Sequence, residues 1–180
     1  MRGWICSLLM CSCLPGLAYE PAPDVSERVV FVAELEAGID DVWDAFTTNE
    51  GLRMWMAPLV EIDLAVGGTI RSSYDPGGTL GDEGTITNTI LAYDPKRMLA
   101  LKATGYPEGF PFAEAARATW SVFYFEELSK DRTAVTIVGL GYTDSEESTK
   151  LRAFFEPANA ELLRRLGVAL KARTGPTQDD

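Results

Sequence analysis

Apolar and polar residues alternate from Arg28 to Glu36, with Val29, Phe31, Ala33 and Leu35 on one side and Glu34 and Glu36 on the other. A period of two sets successive side chains on opposite faces of a strand, so the odd positions are predicted to point inward. The period then changes. Ile39, Val42, Trp43 and Phe46 recur at i, i+3, i+4 and i+7, the spacing of an amphipathic helix, with Asp40 and Asp41 near its positive N-terminal end. Thr48 is placed to cap a second short helix carrying Leu52 and Trp55, which Pro58 closes. Val60, Ile62 and Leu64 alternate with Glu61 and Asp63, Gly67-Gly68 turns the chain, and Thr69 to Tyr74 forms the next strand.

Farther on, Asp75 to Gly84 reads as a long hairpin loop. Thr85 to Tyr93 alternates Thr85, Thr87 and Thr89 against Ile86, Asn88 and Ile90. Asp94 to Arg97 is a turn, Met98 to Ala103 a strand, and Tyr106 to Phe112 a loop with two prolines and three aromatics. Ala116 to Glu126 and Thr133 to Tyr142 read as a hairpin over the polar turn Leu128 to Arg132. Trp120 to Phe125 is apolar on both faces, so periodicity leaves its inward side open. Asp144 to Ala172 is a long helix with Ser145 as its N-cap and a stripe of Leu151, Phe155, Ala158, Leu162 and Leu166. Pro157 lies inside that pattern and is expected to kink the helix or split it at Phe155 or Glu156.

The first eighteen residues change the picture of where the chain works. Arg2 precedes the short apolar run Trp4 to Leu14, and Gly16-Leu17-Ala18 supplies small residues where a signal peptidase cuts. Residues 1–18 are therefore expected to be a signal peptide cleaved after Ala18, giving an exported protein, periplasmic or secreted. The run is short for a membrane span. An uncleaved anchor and lipidation at Cys13 are the alternatives, and Met10-Cys11-Ser12 makes a poor lipidation box. Residues 19–27 read as a linker, 28–172 as one domain and 173–180 as a disordered tail. The net charge of −11 over 180 residues disfavours nucleic acid and anionic membrane surfaces as partners, since both are polyanions. No stable membrane insertion of the mature chain is expected.

Candidate chemistry is bounded by what is missing. The three cysteines, Cys6, Cys11 and Cys13, all lie in the export segment, and the chain has no histidine. Ser-His-Asp and Cys-His catalysis as usually built are excluded, as are the common zinc sites. Any acid–base group must be Asp, Glu, Tyr or Lys. No loop clusters carboxylates at the spacing of a Mg or Ca site, so neither a metal nor another cofactor is expected. The glycines between Asp75 and Gly84 lack a following Lys-Ser/Thr and an opening helix, which argues against a phosphate cradle.

The order of elements and several short motifs resemble a known family. Ile39-Asp40-Asp41-Val42-Trp43-Asp44-Ala45-Phe46-Thr47 is similar to its helix signature, and Leu52-Arg53-Met54-Trp55 to its second-helix tryptophan. Asp63-Leu64-Ala65-Val66-Gly67-Gly68 resembles its strand-turn. Gly84-Thr85-Ile86 with Asp94-Pro95-Lys96-Arg97-Met98-Leu99 resembles its next hairpin. The resemblance, over about Arg28 to Lys171, is to the SRPBCC superfamily (START and polyketide-cyclase-like), in the branch named after the activator of the heat-shock-protein-90 ATPase. It implies an α+β helix-grip fold, in which a curved antiparallel sheet of about seven strands wraps a long C-terminal helix and leaves a cavity between them. The export signal argues against the chaperone role of that branch, because that partner is cytosolic.

A cavity of this kind suits a small hydrophobic ligand, bound without catalysis. Its expected lining is Trp43, Trp55, Asn88, Leu101, Trp120, Phe155 and Leu162, with Trp43 and Trp55 first of all core aromatics. Asn88 sits between Ile86 and Ile90 on an apolar face, where an unpartnered amide costs roughly 1–3 kcal/mol. A one-residue slip or bulge would turn it outward. Tyr106, Phe110 and Phe112 are candidates for a gate over the cavity mouth. The alternatives are a cavity enzyme working with Asp, Glu, Tyr or Arg, and a protein-interaction module marked by an exposed apolar patch.

Overall fold

A computed structural model describes residues 28–174. The expected signal peptide 1–18, the expected linker 19–27 and residues 175–180 of the expected tail lie outside the described residues. The elements are β1 (Val29–Leu35), α1 (Ile39–Thr47), α2 (Asn49–Arg53), β2 (Leu59–Ile62), β3 (Thr69–Ser73), β4 (Ile86–Asp94), β5 (Met98–Gly105), α3 (Ala113–Ala118), β6 (Trp120–Ser129), β7 (Arg132–Leu140) and α4 (Glu146–Thr174). The strands form one antiparallel sheet in the order β1-β7-β6-β5-β4-β3-β2. The α+β architecture is the expected one.

Cross-strand pairing fixes which side of each strand faces the helices, because directly opposed residues share a face. Phe31 pairs Ile137, Ile137 pairs Phe123, and Phe123 pairs Leu99; Ala33, Val135 and Phe125 make the adjacent row. These rows meet α1. Trp43 stands edge-on to Phe125 at 5.5 Å, and Phe46 lies 4.9 to 5.4 Å from Trp55, Phe125 and Phe123. Thr48 ends α1 and starts α2: its N–H donates to Asp44 O at 3.1 Å and its Oγ1 accepts from Gly51 N at 2.9 Å. Gly51 is required there, since a Cβ would stand 2.1 Å from Asp44 O.

Ser145 caps α4 as expected, accepting from Ser148 N at 3.2 Å. The helix then runs unbroken through Pro157, whose ring is exposed, so Pro157 does not start a second helix. Leu151 is buried near one end of α4 and Leu163, Leu166 and Leu170 near the other. The expected stripe is thus only partly the buried one: Phe155, Ala158 and Leu162 are half-buried. Lys171 reaches Glu36 at 3.2 Å and Arg173 reaches Asp41 at 2.6 Å. Arg173 and Thr174 are therefore helical rather than part of a disordered tail.

One strand boundary needs correction. Ala116 to Ala118 belong to helix α3, and β6 begins at Trp120. Ala113-Glu114-Ala115-Ala116-Arg117-Ala118 consists of strong helix formers. The turn is held against α4 by buried Ala116 and by Ala115 N–H donating to Glu147 Oε1 at 3.2 Å.

The 75–84 loop is organised by its own carboxylates. Asp82 accepts from Thr79 N at 2.9 Å and Gly84 N at 3.0 Å, and Asp75 accepts from Gly77 N at 2.9 Å. These amides are already taken by anions, so the loop is a hairpin connection. The two backbone hydrogen bonds, Thr79 first, hold the Asp82 carboxyl below the usual aspartate range. A depressed folded pKa stabilises the structure above the unfolded value and loses that contribution as pH falls through the folded one. The Thr79 and Gly84 amides should therefore stay protected from exchange down to about pH 3.9, the unperturbed aspartate value, and open only below it. Hydrogen exchange by NMR checks this, and Asp82→Ala should abolish the protection at every pH.

Candidate functional site

Burial along the inner face of the sheet is uneven. Leu99, Phe125 and Val135 are buried, whereas Asn88, Ala103, Ser121 and Phe123 on the same face are only half-buried. Gly139 pairs Ser121, Ser121 pairs Leu101, and Leu101 pairs Ile90; beside them Ala103 pairs Asn88 and Asn88 pairs Ile70.

One turn of α4 lies beside the half-buried part of this face. Tyr142 lies across Gly139, where a Cβ would stand 3.1 Å from its Cε2, and the Arg152 guanidinium sits 5.5 Å from the centre of its ring. On the other side Phe154 meets Phe110 and Phe112 at 6.0 and 5.7 Å. Residues 152–154 thus reach from the end of β7 to the loop after β5. α4 is docked through Leu151 and through Leu163 to Leu170, and the half-buried Ser121, Ala103 and Asn88 under the stretch between them mark the candidate cleft.

The expected gate residues do come together. Tyr106 stacks on Phe110 at 5.3 Å with planes 6° apart, Phe110 is edge-on to Phe112 at 5.8 Å, and Phe154 joins them to Phe155 at 5.4 Å. Tyr106 Oη donates to Ala103 O at 2.9 Å, which ties the loop to the half-buried end of β5. Burial pushes the Tyr106 and Tyr142 phenols above their ordinary pKa, with Arg117 and Arg152 respectively opposing it. Both stay protonated at neutral pH, and Tyr106 serves as a neutral donor.

The remaining expected lining divides. Asn88 is on the inner face despite a register shift between Thr87 and Asn88, and among the described residues its amide has no hydrogen-bond partner. Leu101 shares that face, and Phe155 and Leu162 are half-buried on α4. Trp43 and Trp55 are core residues; the Trp55 indole donates to Ala45 O at 2.9 Å. Trp120 does not line the cleft. It pairs with Leu140 and shares the outer face with Val122 and Tyr124, because the inward set on β6 is 121, 123 and 125. Its ring packs over Gly141 instead, whose φ of +82° only glycine adopts readily. Pattern reading missed Ser121, Ala103, Tyr142, Arg152 and Phe154. The one available signal was a tyrosine directly after the Gly139-Leu140-Gly141 run. Two other grooves, of about 420 and 460 Å³, open between β1 and α4 and around Gly38, away from this cleft.

The sequence profile of the family described as Activator of Hsp90 ATPase homolog 1-like protein matches residues 36–171. The chain belongs to this family. Several solved structures resemble this Activator of Hsp90 ATPase homolog 1-like chain. A protein from Mesorhizobium loti aligns with TM-score 0.66 and 17% identity, covering 83% of this chain and 100% of that one. The Aha1 dimer from Colwellia psychrerythraea aligns with TM-score 0.65 and 20% identity, covering 83% and 99%. Norcoclaurine synthase from Thalictrum flavum, in complex with dopamine and hydroxybenzaldehyde, aligns with TM-score 0.59 and 11% identity, covering 84% and 89%. At these identities the likeness is one of fold. No curated protein sequence matches the chain.

Proposed function

We propose that this chain binds a small hydrophobic molecule in the cleft beneath the middle of α4 and carries it without chemical change. The observation that carries this reading is the half-burial of Asn88, Ala103, Ser121 and Phe123 on the inner face, under a part of α4 whose Phe155 and Ala158 are themselves only half-buried. Such a space is apolar with few polar handles, the usual makeup of a ligand site. The unpartnered Asn88 amide would orient the polar end of the ligand. Among the described residues the carboxylates with displaced pKa, Asp82 and Glu161, are on the surface, and the half-buried phenols of Tyr106 and Tyr142 remain neutral. That pattern favours carriage over acid–base chemistry. Native mass spectrometry of the protein purified from its own host should show a mass excess that disappears on denaturation. A bare chain that also takes up no apolar fluorescent probe would overturn the reading.

We further propose that the chain is exported and cleaved after Ala18, on the strength of Arg2, the apolar run Trp4 to Leu14 and the small residues Gly16 and Ala18. N-terminal sequencing of the mature protein should begin at Tyr19. An intact Met1 on cytosolic protein would contradict export and restore the chaperone-partner reading of the family.

A further inference from the structure

The two edges of the sheet are treated differently. β2 is four residues long, and its outward backbone groups are occupied: Arg53 Nη2 donates to Val60 O at 3.1 Å, and Ile62 N donates to Asn49 Oδ1 at 2.8 Å. β1 is seven residues long, and among the described residues nothing pairs with its outer edge. Proteins normally blunt such an edge with charge, proline or a covering element. Here the middle of the edge carries valines instead, Val30 at 53% and Val32 at 65% exposure, with charge only toward the ends at Arg28 and Glu34. Beside the edge runs the groove of about 420 Å³, with Phe31, Ala33 and Leu35 on its sheet side and Ala160, Leu163 and Gly167 on its helix side. An added strand would find backbone partners on β1 and, for its inward side chains, a largely apolar trough that Glu34 and Arg164 also line.

We propose that β1 is a self-association edge, and that the occupant is β1 of a second copy of this chain, paired antiparallel about a two-fold axis through Phe31. The charge pattern selects this register. It sets Arg28 opposite Glu34 of the second copy and Val30 opposite Val32 of the second copy, and the symmetry repeats each pair. The neighbouring register that keeps the same faces aligned, centred on Val32, sets Val30 against Glu34 and leaves the valines poorly matched. Glu34 already sits beside Arg132 within its own chain, and a carboxylate has acceptor sites for both cations.

Sedimentation equilibrium of the full-length chain over a concentration series should give the mass of two chains. Val32→Lys should return the mass of one chain that is still folded by circular dichroism, since the side chain is exposed. Arg28→Glu should weaken association about tenfold by setting two like-charge pairs across the edge. Combining Arg28→Glu with Glu34→Arg should recover most of that loss, a reversal that a purely structural role of either residue would not produce. A single-chain mass throughout, including one caused by the chain's own residues 1–27 covering β1, overturns the proposal. So does a dimer that Val32→Lys leaves intact.

Discussion

Replacing Phe46 with alanine should destabilise the domain by about 3–5 kcal/mol, the usual cost of deleting a buried aromatic ring. Phe46 is 2% exposed and lies where α1, α2 and β6 converge. Its ring centre is 4.9 Å from Trp55, 5.0 Å from Phe125 and 5.4 Å from Phe123. Three tilted or edge-on aromatic contacts are lost together, and none of the three neighbours can fill the gap without giving up another contact. Trp55 is fixed by its indole bond to Ala45 O, while Phe123 and Phe125 are fixed by their places on β6. The cavity should therefore stay largely open, which puts the effect toward the upper end of the range. Urea unfolding checks this: the midpoint should fall with the slope unchanged. A loss below about 1 kcal/mol would mean that α1 is not seated on the sheet as described. Because Phe123 also borders the half-exposed part of the inner face, the variant should loosen that wall of the cleft as well.

Ser121→Phe should reduce uptake of an apolar fluorescent probe by at least about tenfold, or 1.4 kcal/mol, without lowering the melting temperature. Ser121 is half-buried on the inner face, between Gly139 on one side and Leu101 on the other. A phenyl group there would extend into the space under residues 152–155 of α4 and lie against surfaces that are already apolar. Filling the space adds buried apolar area, at roughly 25 cal/mol per Å², so stability should hold or rise. The two readouts move in opposite directions only if the cleft is a site rather than loosely packed core. Full probe binding by a folded Ser121→Phe protein would place the binding elsewhere, with the groove between β1 and α4 as the next surface to test. Carrying the substitution on β6, away from the aromatic loop, keeps a loss of binding from being confused with a change in Tyr106, Phe110 or Phe112.

Much of the frame was legible from residue patterns, and for a common reason: where one side of an element is wet and the other dry, its period reports its orientation. The odd positions of β1 point inward as read, with Val30 and Val32 left outside. The i, i+3, i+4 spacing located α1, and Thr48 was identifiable as a cap because a side-chain oxygen beside a helix start has a free amide to accept from. Trp120 was not assignable, since β6 is apolar on both faces and only pairing with β5 and β7 decides which set turns inward. The helix at Ala113–Ala118 was overlooked because an alanine-rich stretch has propensity but no amphipathic signature; docking on α4 makes it visible. Pro157 illustrates the same limit. Its cost was readable, but whether it splits the helix depends on both halves being held, and Leu151 and Leu166 hold them. The cleft itself belongs wholly to the tertiary structure. No local pattern encodes the distance between α4 and the sheet, because that distance is set by where the helix is anchored at its two ends, and the half-exposed residues between those anchors look like ordinary core in the sequence.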